Sequence, residues 1–224
     1  MNSERWASYA AGGYYVVNNI WNDKLLGNGQ QSLHPPQGNG FSWEWDWHTN
    51  PTYTPVSYPS VIFGNKPWDP QGSSTKALPR QVSQINHLTA THDYVLKTNG
   101  RYNVAYDLWL TEGGQPSIPT IRVEIMVWIE SSGNVQPYGV FEAENQNYAL
   151  YVGKPDQGRN WSCYSFKLKH SLASTTINLG EYIQQLMKTH GISPDLYLAD
   201  VEFGTEIWDG QGQMTIKSYQ VAIA

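Results

Sequence analysis

The sequence predicts an all-β sandwich of short antiparallel strands with one α-helix packed against it. Runs rich in Val, Ile, Tyr, Phe and Trp alternate with turns of Gly, Pro, Asn and Asp through most of the 224 residues. Strands at such short spacing are typical of antiparallel sandwiches and jelly rolls. The length fits one large β domain and no segment has the composition of a linker, so we expect a single domain over residues 1–224.

The predicted strands are segments with strong β-formers or period-two alternation, namely 14–21, 41–48, 58–64, 85–97, 102–110, 121–130, 148–152, 161–168, 197–208 and 214–223. Residues 23–40 and 65–78 are rich in glycine, proline or polar residues and predict long loops. Segment 41–48 alternates aromatic and polar residues. A packed sheet face and a ligand-stacking surface explain its three indoles equally well: Trp43, Trp45 and Trp47.

Helical periodicity occurs in one segment near the C-terminus. Its apolar residues follow the i, i+3, i+4, i+7, i+8 spacing of an amphipathic helix: Leu179, Tyr182, Ile183, Leu186 and Met187. Asn178 precedes them as a predicted N-cap, and Glu181 stands at the third helical position of a capping box. Gly191 predicts the end of the helix, so we expect about three turns.

The composition favours a neutral, hydroxyl-rich polymer as ligand. Charged residues are only 15% of the chain, whereas there are 10 Trp and 15 Tyr, more than a core of this size needs. A net charge of -5 leaves no basic surface for nucleic acid or for an anionic membrane. Cys163 is the only cysteine, and the six His lack metal-ligand spacing. We therefore expect no disulfide, no metal and no cofactor.

The most informative segment is 123–129, which alternates perfectly when read as a strand. One face carries only aliphatic residues: Val123, Ile125, Val127 and Ile129. The other face carries Glu124, Met126 and Trp128. A carboxylate flanked by a thioether and an indole indicates the floor of a cleft rather than a solvated sheet face.

Two further strands carry carboxylates beside indoles. In segment 201–208, alternation places Glu202, Gly204, Glu206 and Trp208 on one face, and Gly204 leaves space for a ligand or permits a bulge. In segment 103–110, one face carries Asn103, Ala105, Asp107 and Trp109. If this strand lies next to the Glu124 strand, Asp107 can hydrogen-bond Glu124 and tune its pKa.

Two carboxylates on facing strands of an aromatic-lined cleft meet the requirements for cleaving a glycosidic bond. One protonates the leaving oxygen, and the other attacks the anomeric carbon or activates a water molecule. A separation of about 5–5.5 Å predicts retention of configuration and about 6.5–9.5 Å predicts inversion. A single glutamate on a strand is usually a solvated surface residue, so the hypothesis depends on Glu124 and Glu206 occurring together beside indoles.

Four segments together resemble glycoside hydrolase family 12. Residues 123–128, Val-Glu-Ile-Met-Val-Trp, are similar to the strand that carries the family's nucleophile, and 202–206, Glu-Phe-Gly-Thr-Glu, to its acid/base segment. Residues 103–109 and 18–21 resemble two further segments, Asn-x-Ala-Tyr-Asp and Asn-Asn-x-Trp. All four occur in the family's order and span most of the chain.

The resemblance implies a jelly roll of two curved antiparallel sheets, the concave one forming an open substrate cleft, with one helix behind. It implies a retaining endo-β-1,4-glucanase, with Glu124 as nucleophile, Glu206 as acid/base and Asp107 as partner of the nucleophile. Asn19, Trp21 and Trp128 would contact glucosyl units, and Pro137 would lie in a loop at the cleft rim. Residues that share these faces complete the predicted substrate-binding set: Asn103, Met126 and Glu202.

Two departures from the family's pattern bear on these expectations. Glu202 stands where some members have Gln, so it either raises the pKa of Glu206 by repulsion or points away at a bulge. Many members carry a disulfide near the N-terminus, which this sequence lacks.

The substrate expected from the sequence is a β-glucan of the cellulose type, with mixed-linkage glucan and xyloglucan as alternatives. We expect a monomer that contacts neither nucleic acid nor membrane. We also expect secretion, with any signal peptide already removed. The rival hypothesis is a non-catalytic carbohydrate-binding module on the same scaffold, since fold alone does not determine function.

Overall fold

A computed structural model describes residues 1–25, 29–48, 52–68, 72–153 and 160–224. These residues form strands β1 to β15, which are Ser8–Ala11, Tyr14–Val17, Gln30–Gln37, Gly40–Trp47, Ser60–Gly64, Arg80–Gln81, Leu88–Thr98, Asn103–Thr111, Ile121–Ser131, Val140–Glu144, Tyr148–Gly153, Ser162–Leu168, Ser174–Asn178, Tyr197–Gly204 and Gly210–Ile223. Helix α1 is Leu179–His190, and short 3-10 turns occur at Asp23–Leu25, Val82–Gln84 and Ile118–Thr120.

Within the described residues the strands form two sheets. The larger sheet has the order β1-β2-β5-β14-β8-β9-β12-β11-β10, with β6 added beside β14. The smaller sheet has the order β13-β7-β15-β4-β3. This two-sheet jelly roll confirms the predicted fold class.

One strand pair departs from the antiparallel prediction. Strand β12 pairs with β9 in parallel, placing Cys163 beside Glu124 and Ser165 beside Met126. After β9 the chain passes to the sheet edge as β10 and returns through β11 to β12. Strand β11 is antiparallel to both β10 and β12, so β12 runs in the same direction as β10. The parallel pair of β9 and β12 is therefore joined through β10 and β11 and not by a hairpin.

The main core lies between the two sheets. The aliphatic face of β9 lies in it, as alternation predicts, and includes Val123, Ile125, Val127 and Ile129. From the smaller sheet, β4 contributes Trp43, Trp45 and Trp47, all buried in the same cluster. Of the two explanations for these indoles, the packed sheet face is therefore the correct one. The opposite side of the larger sheet, the open face hereafter, is free to carry a site.

Helix α1 packs against the inner face of the larger sheet and also contacts β7 of the smaller sheet. The Tyr182 ring lies 4.8 Å from Phe166 of β12 and 6.2 Å from Tyr148 of β11, measured between centroids. Gly191 ends the helix with φ 65°, as predicted. The predicted capping box is wrong, because the Asn178 amide donates to the Glu181 carboxylate at 2.9 Å and makes no side-chain bond to the helix backbone.

Two predicted elements differ from the observed ones within the described residues. Residues 23–40 are not mainly loop, because β3 pairs with β4 through a glycine turn at Gly38 with φ 61°. Residues 26–28 and 69–71 of the predicted loops lie outside the described residues. The predicted strand 197–208 ends at Gly204, where a Cβ atom would come within 2.4 Å of the Pro59 carbonyl oxygen.

The sequence pattern also missed short or polar strands, namely β1, β6, β10 and β13. Strand β10 is exposed along its whole length, so burial imposes no alternation on its sequence. No helix among the described residues is long and apolar enough to cross a bilayer.

Candidate active site

Three neighbouring strands bring the predicted carboxyl groups to the open face. In the larger sheet β8 lies between β14 and β9. Asp107 of β8 is opposite Glu202 of β14 and also opposite Met126 of β9, while Trp109 is opposite Glu124. The condition for an interaction between Asp107 and Glu124 is therefore met, because their strands are neighbours and the two residues lie diagonally across them.

A cleft of about 700 Å³ opens on this face, and both Glu124 and Glu206 line it. Its other lining residues are mostly aromatic or polar: Trp6, Asn19, Trp21, Tyr58, Lys66, Trp68, Asp107, Trp109, Ile118, Met126 and Trp161. Aromatic walls with a few convergent polar groups suit a sugar ligand. Among the described residues, no group of three or more His, Cys, Asp or Glu is arranged to hold a metal ion.

Glu124 is held by an indole of the cleft wall. The Trp161 Nε1–H donates to the Glu124 carboxylate at 2.8 Å. Trp161 immediately precedes β12, and the parallel pairing of β12 with β9 carries it to the side of Glu124. A donor aimed at one carboxylate oxygen favours the ionised form and restricts its rotation.

Glu206 lies two residues beyond the end of β14, so strand alternation does not set its direction. Instead, Asn103 at the start of β8 clamps it: the Asn103 amide donates to the Glu206 carboxylate, and the Glu206 backbone N–H donates to Asn103 Oδ1 at 3.1 Å. Burial raises the pKa of Glu206 to about 8, the Asn103 hydrogen bond opposes that shift, and the Glu124 charge adds to it. Glu206 is thus protonated at neutral pH.

Asp107 lies on the cleft floor and is nearly inaccessible to solvent. Burial, followed by the charges of Glu124 and Glu202, raises its pKa well above the ordinary range, while Lys66 opposes the shift. Its Oδ1 atom has no hydrogen-bond partner within the described structure. A neutral Asp107 offers an O–H donor beside Glu124 without adding a second negative charge.

Glu202 does not line the cleft, which corrects its assignment as a substrate-binding residue. Its side chain is 0% exposed and forms an ion pair with Lys66, from the segment that follows β5. Ser60 Oγ at 2.8 Å and Trp109 Nε1 at 3.0 Å also donate to it. It contributes nothing identifiable to the pKa of Glu206, whose neighbouring charge is Glu124. Neither alternative for Glu202 is correct: it lies on the open face opposite Asp107, but Lys66 covers it there.

Three other predicted contacts are also buried away from the cleft. Trp128 is 2% exposed and packs with Val135, Cys163 and Trp208, because the segment after β9 folds back over it. Pro137 of that same segment is buried too. Asn103 is fully buried and contacts Glu206, so it acts on that carboxyl group rather than on a sugar.

The remaining predicted residues do line the cleft: Asn19, Trp21 and Met126. Trp21 is 42% exposed and is therefore available to a ligand, whereas Asn19 is 4% exposed and its buried Oδ1 has no hydrogen-bond partner within the described structure. Sequence reasoning missed Trp6, Tyr58, Lys66, Trp68, Ile118 and Trp161. It also left out Trp109, although alternation places that residue on the same face as Asp107. The other six lie outside regular strands, where alternation gives no signal.

The family model of "Glycosyl hydrolase family 12" matches residues 12–224. The chain belongs to this family. It is therefore a glycoside hydrolase of the endoglucanase type, and the rival hypothesis of a non-catalytic module is set aside.

Curated relatives and solved structures agree with this membership. Endoglucanase S of Pectobacterium parmentieri is 29% identical, over 94% of this chain and 81% of that protein. A xyloglucan-specific endo-beta-1,4-glucanase A of Emericella nidulans is 26% identical, over 98% of this chain and 90% of that protein. The native family 12 xyloglucanase from Bacillus licheniformis superposes with a TM-score of 0.91 at 26% identity, covering 100% of this chain and 99% of that one.

Proposed function

We propose that the protein is a retaining endo-β-1,4-glucanase that cleaves internal bonds of cellulose-type β-glucans. The observation that carries this proposal is the contrast between two carboxyl groups in one cleft. Glu206 has its pKa raised to about 8 by burial and keeps its proton, whereas Glu124 receives the Trp161 N–H on its carboxylate. Carboxyl groups whose environments differ in this way are suited to separate acid and nucleophile roles.

In the proposed first step, Glu206 protonates the departing glycosidic oxygen while the Glu124 carboxylate attacks the anomeric carbon. The C–O bond to the leaving sugar breaks, and a covalent glycosyl ester on Glu124 forms. In the second step, the Glu206 carboxylate takes a proton from water, whose oxygen attacks the same carbon and releases Glu124. Two inversions give net retention.

Asp107 and Asn103 support these roles from the strand β8, next to the two glutamates. Neutral Asp107, diagonal to Glu124 on the adjacent strand, supplies a proton donor that steadies the nucleophile without opposing its charge. Asn103 holds the carboxyl group of Glu206 in place with two hydrogen bonds, one to the carboxylate and one from the backbone. Trp21 and Asn19, which also line the cleft, would bind glucosyl units, Trp21 by stacking and Asn19 by hydrogen bonding.

The two catalytic assignments are tested by Glu124→Gln and Glu206→Gln, with Glu112→Gln as a matched control on an exposed surface glutamate. We expect loss of the nucleophile to reduce kcat on barley β-glucan at least about a thousandfold. Loss of the acid/base should reduce it about 10²- to 10⁴-fold, and the control should match the wild type. Reducing-end release measures all three. Near-normal turnover by Glu124→Gln would contradict the assignment.

Retention is tested separately by proton NMR of the first products, because this family fold does not itself establish stereochemistry. Release of the β-anomer before mutarotation is expected. Initial release of the α-anomer would replace the covalent step with direct attack by water.

Xyloglucan is the second candidate substrate, favoured by the similarity to the Bacillus licheniformis xyloglucanase over the whole of both chains. Parallel assays on carboxymethyl cellulose, barley β-glucan and tamarind xyloglucan discriminate between the two. A kcat/KM at least about tenfold higher on xyloglucan would mean that side-chain xylose contributes binding energy in the transition state. Because such polymers do not enter cells, secretion is part of the same proposal.

A further inference from the structure

Lys66 is a buried cation on the cleft wall that the proposed chemistry does not use. It is 1% exposed and follows β5, where the chain folds over the open face. The ammonium group contacts the carboxylate of Glu202 and lies 4.6 Å from the ring centre of Trp68 and 5.9 Å from that of Tyr58. Burying a lysine and a glutamate together costs desolvation free energy that their attraction only partly offsets, so stability alone is a weak reason for this pair to be present.

The charged groups that face Lys66 come from two strands. Glu202 and Asp200 lie on β14, and Asp107 lies on β8. Although burial lowers the pKa of Lys66, the three carboxyl groups raise it, and the net shift is upward. Burial and then the Glu202 charge raise the pKa of Asp200, and Glu202 is the carboxylate that forms the ion pair with Lys66. Gly64, opposite Asp200, leaves the room this cluster needs.

A continuous set of contacts leads from this ion pair to Glu124. The Glu202 carboxylate accepts the indole N–H of Trp109 at 3.0 Å. The Trp109 ring packs edge-on against Trp68, with 4.8 Å between centroids, and against Trp161, with 5.7 Å. Trp161 then donates to Glu124. Two groups contact Trp109 directly, the Glu202 carboxylate and the Trp68 ring, and Lys66 contacts both of them.

We propose that Lys66 is a positioning residue for the nucleophile: its ammonium group anchors Glu202 and Trp68 around Trp109, and Trp109 sets the position of the Trp161 indole that holds Glu124. This inference rests on the proposed function, since it takes Glu124 as the nucleophile. Removing the cation leaves Glu202 buried without a counter-charge, and the carboxyl group must then gain a proton or admit water. Either change displaces Trp109.

The first test is Lys66→Met, which keeps the apolar stem and removes the charge. We expect kcat on barley β-glucan to fall by about 10²-fold, because small displacements of a reacting group have effects of that size. KM should change by less than about threefold, because a nucleophile held out of position affects the transition state more than ground-state binding. Lys76→Met is the matched control, since Lys76 is an exposed lysine of the same connection between β5 and β6.

The readout must separate displacement of the nucleophile from simple loss of folded protein. A fluoroglycoside inactivator that traps the glycosyl enzyme counts competent sites, and kcat is expressed per trapped site. A purely structural role leaves kcat per site at the wild-type value and lowers only the number of sites. A positioning role lowers kcat per site and slows trapping by a similar factor.

The second test is the double variant Lys66→Met/Glu202→Gln. Glutamine keeps a carbonyl oxygen that accepts the Trp109 N–H, and it needs no counter-charge. We expect kcat per site to recover to within about tenfold of the wild type, since a pair whose members act together gives non-additive effects. This variant also keeps the test decisive if Lys66→Met alone does not fold.

Two results would overturn the proposal. One is a wild-type kcat per trapped site in Lys66→Met; the other is an equally low kcat in the double variant, which would mean that Lys66 acts on the substrate directly. Glu124→Gln in the same assays distinguishes these failures from failure of the proposed function. If Glu124→Gln is inactive while Lys66→Met is normal, only the role of Lys66 is rejected.

Discussion

Trp161 donates its indole N–H to the carboxylate of Glu124 at 2.8 Å, although 37 residues separate them along the chain. The contact exists because β12 pairs in parallel with β9, with Ser162 beside Val123, so Trp161 just before β12 lies near Glu124 in the first half of β9. A hydrogen bond to a charged acceptor contributes about 1.5–3 kcal/mol. Position and charge of the proposed nucleophile therefore depend on a strand pairing that no local sequence pattern predicts.

Replacing this donor should weaken catalysis more than it weakens the fold. Trp161→Phe keeps most of the aromatic ring and removes the N–H, and we expect kcat to fall about tenfold to a hundredfold, matching the hydrogen bond's free energy. Trp128→Phe is the matched control, because Trp128 Nε1 has no hydrogen-bond partner among the described residues. Equal loss of kcat in the two variants would show that ring size, not the donor, matters.

The pH dependence of kcat/KM should report the proton on Glu206. Since burial raises the pKa of Glu206 to about 8 and the acid role needs the protonated form, activity should fall as the pH rises through about 8. The Asn103 hydrogen bond lowers this pKa, so Asn103→Ala should move the alkaline limb of the profile to higher pH. A limb that moves to lower pH in Asn103→Ala would contradict the interpretation.

Asp107 should make the stability of the protein depend on pH. The pKa of Asp107 is raised in the fold by burial first and then by Glu124 and Glu202, so the folded state keeps a proton that the unfolded chain loses above about pH 4. Below that pH Asp107 is protonated in both states, and the fold has its full stability. As the pH rises toward the raised pKa of Asp107, the free energy of unfolding decreases. Asp107→Asn removes the titration.

We therefore expect Asp107→Asn to raise Tm relative to the wild type at pH 7 and to leave it unchanged at pH 3.5. Thermal unfolding followed by circular dichroism at both pH values measures this difference. The opposite order, with a higher Tm for the wild type at pH 7, would mean that Asp107 is ionised and paired in the fold.

Trp21 and Trp128 should respond to truncation in opposite ways, although the sequence motifs predict the same role for both. Trp21 is 42% exposed on the cleft, so Trp21→Ala should raise KM on β-glucan while Tm changes little. Trp128 is buried, so Trp128→Ala should destabilise the fold by about 3–5 kcal/mol. A large rise in KM for Trp128→Ala with an unchanged Tm would restore its predicted role as a sugar platform.

Period-two alternation was sufficient to predict much of this molecule. It assigned the aliphatic face of β9 to the core and Glu124, Met126 and Asp107 to the opposite face, because a strand's geometry alone determines which residues share a side. The helical periodicity of α1 and its end at Gly191 were likewise local properties. The order of the four motif segments was enough to indicate the family.

Alternation failed where a face is covered by another part of the chain. Trp128 and Glu202 lie on the predicted open faces, but the segment after β9 covers the first and Lys66 covers the second. Glu206 lies in the cleft even though its strand ends at Gly204, because Asn103 rather than the pleat holds it.

The sequence by itself determined the sandwich class, the faces of its strands and the two glutamates as candidates for catalysis, since each depends on residues close together in the chain. Only the tertiary structure decided which residues on a face meet a ligand and which proton state each carboxyl group holds. Exposure and pKa are set by neighbours distant in sequence: Lys66 beside Glu202, Trp161 beside Glu124, and Asn103 beside Glu206.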